Sequence, residues 1–119
     1  MKNILAILTV LTLLMIPITA FADEGPMNLP SGANPEAVSH NKEGIASWNK
    51  KDYKGALMHF SAASKIDGSS GEIHFNEAIC YDKIGQHGVA TKHFGVALKK
   101  AGGNTKLLNS PILKGHLGM

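Results

Sequence analysis

The sequence predicts an all-α fold, a helix–turn–helix repeat solenoid of two units closed by a short C-terminal capping helix. Three observations predict it. Set residues 37–70 above 71–104, and His40, Glu43, Ile45, Ala56, His59, Phe60 and Ala63 fall on His74, Glu77, Ile79, Ala90, His93, Phe94 and Ala97, each pair 34 residues apart. A unit of that length is a pair of helices that needs a neighbour to bury its apolar face. Helix-capping residues punctuate the chain at the intervals such pairs require. The tail, 105–119, is too short for another unit, yet Leu107, Leu108, Ile112, Leu113 and Leu117 can cover the last open face.

The elements follow in order. Residues 1–22 form a targeting segment: Lys2, an apolar run from Ile4 to Leu14, the helix-breaking Pro17 and the small-x-small ending Ala20-Phe21-Ala22. Cleavage after Ala22 is expected, which gives a periplasmic or secreted protein that meets a membrane only transiently. The competing reading is an uncleaved anchor. Residues 23–34, with Pro26, Pro30, Gly25 and Gly32, are expected to be a flexible leader. The repeat domain occupies 35–119. Asn34-Pro35-Glu36 starts a first helix to about Asn49, with asparagine as cap, proline in the first turn and an acid near the positive helix end. Asp52 caps a second helix to about Ile66. Ser69-x-x-Glu72 is expected to be a capping box opening the third. Gly85 closes that helix. A fourth spans about Gln86 to Lys100, and Ser110-Pro111 opens a short helix to about Gly115.

Composition excludes several function classes. The basic residues are all lysine, and with Lys2 removed 11 lysines face nine acids. Without arginine, whose planar fork grips phosphate and guanine, the chain is a poor reader of nucleic acid. Cys80 is alone, so it forms no internal disulfide, and its apolar helical setting makes it a small buried hydrophobe. No phosphate-binding loop, nucleophile elbow or gathered carboxylates appear, and no catalytic role or cofactor is expected. Gly44, Gly55, Gly88 and Gly95 lie inside helices, where they mark close packing or modest instability.

The repeat resembles the tetratricopeptide repeat (TPR). Its slots are filled by Gly44, the turn Lys51-Asp52-Tyr53, Ala56, Phe60 and Ala63 in the first unit. In the second they hold Ala78, Tyr81, the turn Gly85-Gln86-His87, Ala90, Phe94 and Ala97. Glu43 and Glu77 depart from the leucine usual there, and Gly68 and Gly102 from the usual proline. The string from Ser39-His40-Asn41 to Lys114 is also similar to short exported bacterial repeat proteins, which adds a compartment but no reaction.

The resemblance implies a concave peptide-binding groove lined by Val38, Asn41, Ile45, Trp48 and Asn49 from the first unit, and by Glu72, Phe75, Ile79, Asp82 and Lys83 from the second. Positions 38, 41, 45, 48 and 49 independently share one helical face. The expected partner is an unknown protein or peptide. Alternatively, the leader, the C-terminal segment or a second copy covers Trp48, the last making the chain a self-associating structural protein. Asn41 and Asn76 are near the positions of a carboxylate clamp, but its arginine is missing, so an apolar or amphipathic segment fits better.

Histidine offers a third reading, a metal-binding protein. His40-x-x-Glu43 and His74-x-x-Glu77 each share a helical face, and His59 and His93 would complete two imidazoles and a carboxylate for zinc, nickel or copper if they faced them. Identical placement in both units favours structural His–Glu hydrogen bonding, and no metal ligand is assigned. His87 and His116 read as surface residues.

Overall fold

A computed structural model describes residues 24–119. The expected export segment and its cleavage site lie outside these residues. The described chain forms six helices: α1 (Pro35–Asn49), α2 (Tyr53–Ile66), α3 (Gly71–Lys83), α4 (His87–Lys99), α5 (Thr105–Leu108) and α6 (Pro111–Leu117). Packing is between neighbours, α1 on α2, α3 on α4, α2 on α3, with α6 against α4. This is the helical repeat solenoid that the period implies. Among the described residues no helix is long and apolar enough to cross a membrane.

Side-chain caps set the starts of every described helix except α4. The Asn34 carboxamide oxygen accepts from the Glu36 and Ala37 amides at 2.8 and 3.3 Å. Asp52 accepts from the Gly55 amide at 2.9 Å. The third helix corrects the sequence reading: its cap is Ser70, whose hydroxyl accepts from the Ile73 amide at 3.3 Å. Ser69 instead donates to Asp67 at 2.6 Å, and Glu72 accepts from the Asn104 side chain at 3.1 Å, so no capping box forms. The α5 turn was not anticipated. Asn104 caps it by accepting from the Leu107 amide, and it delivers the buried Leu107 to the core.

Two apolar clusters run through the stack. Ala37, Ala56, Phe60, Ala63, Ile73 and Cys80 form one between the units. The other joins Phe75, Ala78, Ile79, Ala90, Phe94 and Ala97 to Leu107 and Leu113 of the cap. Phe75 and Phe94 meet edge to face with centroids 5.7 Å apart, a favourable aromatic arrangement. Helix α3 is buried along most of its length because α2, α4 and the cap surround it. Cys80 is fully buried, and desolvation, with the Glu77 carboxylate adding to it, pushes its thiol up to about 12. Two glycines permit close approaches between paired helices. A Cβ on Gly44 would stand 2.5 Å from the Phe60 ring, and one on Gly71 would stand 2.6 Å from the Ala97 carbonyl.

The repeat also reveals a strained turn. Lys51 and Gly85 occupy equivalent positions and both are left-handed, with φ of 62° and 86°. Glycine adopts this conformation freely, whereas a side chain crowds the following carbonyl. Lys51→Gly is therefore expected to raise the unfolding free energy by about 1 kcal/mol, measured by urea denaturation; a lower midpoint would contradict the strain assignment.

Candidate functional site

The segment expected to be a flexible leader is an ordered strap laid along the inner face of the first helices of the two units. Met27 is its anchor, 6% exposed and packed in the second apolar cluster. The Met27 N–H donates to Asn76 Oδ1 at 2.7 Å, while its carbonyl accepts from Asn76 Nδ2 at 2.8 Å and Asn41 Nδ2 at 3.1 Å. The second Asn76 N–H goes to Asn41 Oδ1 at 2.8 Å. A carboxamide has one acceptor group and two donor hydrogens, so Asn76 is fully engaged. It meets the main chain as a neighbouring β-strand would. Upstream, Glu24 Oε2 accepts from Ser110 Oγ at 3.1 Å and the Ile112 amide at 2.8 Å, tying the strap to the start of α6. Downstream, Leu29 packs on the cluster between the units.

The expected groove residues divide accordingly. Asn41, Phe75 and Ile79 lie buried beneath the strap and cap, and Glu72 is buried through its bond to Asn104. Val38, Ile45 and Trp48 are half-buried. Trp48 stands edge-on to Tyr53 at 4.8 Å, with the Lys83 ammonium 6.0 Å from its ring centroid, within cation–π reach. A methyl group on Gly25 would meet the Trp48 indole nitrogen at 3.8 Å, so the strap reaches this residue too. Asn49 and Lys83 are exposed at the rim. Asp82 belongs to a different assembly at the cap. Thus the apolar floor predicted for a partner is covered by the chain itself, and Asn76, absent from the predicted groove list, makes the central contacts.

Asp82 joins three helices. One carboxylate oxygen meets His87 Nδ1 at 2.6 Å and His116 Nε2 at 2.8 Å. His116 is not a surface residue: it leans on Phe94 with centroids 4.8 Å apart, and its Nδ1 meets Thr91 Oγ1 at 2.8 Å. His87 is exposed, as expected. Burial alone would raise the Asp82 carboxyl, but the hydrogen bonds from His87 and His116 outweigh it and hold Asp82 below its ordinary value.

The His–Glu pairs also differ from expectation. In the first unit Glu43 pairs with His59 of α2 at 3.0 Å, not with its helical neighbour His40. In the second, His74 Nδ1 and Glu77 Oε1 are 3.5 Å apart without hydrogen-bond geometry.

No family model matches the chain. It is 38% identical over 65 residues to human sperm-associated antigen 1, a TPR-containing protein, across 55% of this chain. The chain spans 7% of that relative's length. The similarity agrees with TPR-like helical repeats and carries no activity with it.

Two outcomes test this site. Asn76→Ala leaves the buried Met27 amide and carbonyl short of partners, and should destabilise the fold by about 1–3 kcal/mol in urea denaturation. A neutral result would mean the strap is not seated. Asp82 has a depressed carboxyl pKa, so its stabilisation is complete well above 3.8 and is lost as pH falls through the lower folded value. Asp82→Ala should lower stability at pH 7 by roughly 1 kcal/mol and flatten that acid limb. An unchanged limb would assign the acid sensitivity elsewhere.

Proposed function

We propose that the chain is an exported, non-enzymatic interaction module that binds an extended protein segment along the inner face of its repeats, with residues 24–29 acting as a built-in occupant. One observation carries this reading: the Asn76 carboxamide grips both the N–H and the carbonyl of Met27. Contacts to main-chain atoms do not depend on which side chain the bound residue carries. Any extended segment that places an apolar residue in the Met27 position can make them. The helical-repeat fold and the similarity to a TPR-containing protein support an interaction role.

The partner is then a segment that competes with the strap. Its best match is the strap's own chemistry, an acid in the position of Glu24 followed three residues later by an apolar anchor. Self-association through the same face has less support, because that face is filled and the large exposed hydrophobics among the described residues are Met58 and Met119. Export is supported by the sequence of residues 1–22.

Occupancy in cis lowers apparent affinity in proportion to the fraction of molecules whose groove is open. Met27→Lys in the full chain should free the groove. A synthetic peptide matching residues 24–30 should then bind and change Trp48 fluorescence, with affinity about tenfold or more above that for the unaltered chain. Circular dichroism establishes that the variant remains helical. A helical Met27→Lys variant that fails to bind the peptide would reduce the strap to a structural element and remove the peptide-binding reading.

A further inference from the structure

The described residues contain three trios of two histidines and one carboxylate, each offering ligand atoms within 4.8 Å of one another: His40, Glu43 and His59; His74, Glu77 and His93; Asp82, His87 and His116. Their surroundings separate them. In the third, Asp82 is shared by the two imidazoles, and Thr91 engages the remaining His116 nitrogen, so it works as a clip for the cap. In the first, His40 Nδ1 is also buried without a partner, but the Glu43 side chain is 54% exposed and already paired with His59. The second is enclosed and unfinished.

We propose that His74 and Glu77 of α3 and His93 of α4 form a three-ligand site for a divalent transition-metal ion of the zinc type. His74 Nδ1, Glu77 Oε1 and His93 Nδ1 are all buried without a hydrogen-bond partner in the protein. Glu77 as a whole is only 5% exposed. An ionised carboxylate oxygen in such a place demands a proton donor or a cation.

The groups behind the trio favour a cation. His74 Nε2 lies 2.8 Å from the Gly68 carbonyl and can serve it only as an N–H donor. In the neutral ring, Nδ1 then carries the lone pair, 3.5 Å from Glu77 Oε1. Metal-binding histidines are oriented this way, with the far nitrogen donating to a backbone carbonyl. The other Glu77 oxygen, Oε2, accepts from the Ser61 hydroxyl at 3.5 Å, leaving Oε1 for the ion. His93 is held by stacking on Tyr81 with centroids 5.0 Å apart.

The spacing also suits the ion. Bonds of about 2.0–2.2 Å at tetrahedral angles place neighbouring ligand atoms roughly 3.3–3.6 Å apart. The separation of His74 Nδ1 and Glu77 Oε1 is 3.5 Å. Two imidazoles and one carboxylate are borderline ligands of the kind zinc accepts, with a fourth position left for water or an incoming donor.

The test is calorimetric titration of the metal-free full chain with Zn2+, with Co2+ absorption as a second probe of coordination. One equivalent should bind with micromolar or tighter affinity, and Co2+ should give the intense visible bands of a tetrahedral site. His93→Gln and Glu77→Gln should each weaken binding by at least about tenfold, the lower end of what loss of even an outer partner costs. His59→Gln and His116→Gln should leave it unchanged. Circular dichroism establishes that each variant is folded, and Glu77→Gln removes a buried charge, so this variant should fold. Absence of binding would overturn the proposal, as would binding that survives both His93→Gln and Glu77→Gln or is abolished by His59→Gln or His116→Gln.

Discussion

The contact between the Asn76 carboxamide and the Met27 main chain holds the inner face of the repeats in its observed form. Asn76 is fully buried on the central helix of the stack, where an unsatisfied amide would be costly. Met27 supplies a donor and an acceptor to it, and Asn41 supplies a second acceptor. A polar network of this kind stabilises only when every member is satisfied. The strap is therefore part of the folded core. Glu24 extends the connection to α6, so one ordered segment links the first helix of each unit with the C-terminal cap.

The helices were legible because local signals coincide with a strong period. Phe60 and Phe94 recur with their flanking alanines, and all are fully buried. Asn34, Asp52 and Ser110 are short polar residues placed where orphan amides need acceptors, and they cap as expected. Ser69 and Ser70 were harder to separate because either can supply that oxygen. Asn104 competes for Glu72 in a contact between residues 32 apart. No local pattern encodes that competition.

The groove was legible as a face and illegible in its occupancy. Asn41 and Asn76 are separated by 35 residues, one more than the repeat, so superposing the units sets Asn41 against Phe75. The strap itself has few apolar residues and two prolines, a composition that locally suggests disorder. Its order depends on partners distant in sequence, Asn76 for Met27 and Ile112 for Glu24. The histidines make a similar point. Three trios share a composition, yet Glu43 is exposed and paired with His59, Asp82 completes a structural clip, and enclosure leaves Glu77 Oε1 without a hydrogen-bond donor. Sequence spacing brought two of these trios into view, while burial distinguishes their chemistry.

The central claim is that the chain fills its own groove in the folded state, and amide hydrogen exchange of the unaltered protein tests it most directly. The Met27 amide points into a buried carboxamide and should exchange with the slow population of α3, far more slowly than a free peptide. Exchange of Met27 at the rate of an unstructured chain, with α3 still protected, would contradict the account: the groove would then be open and the strap no part of the core.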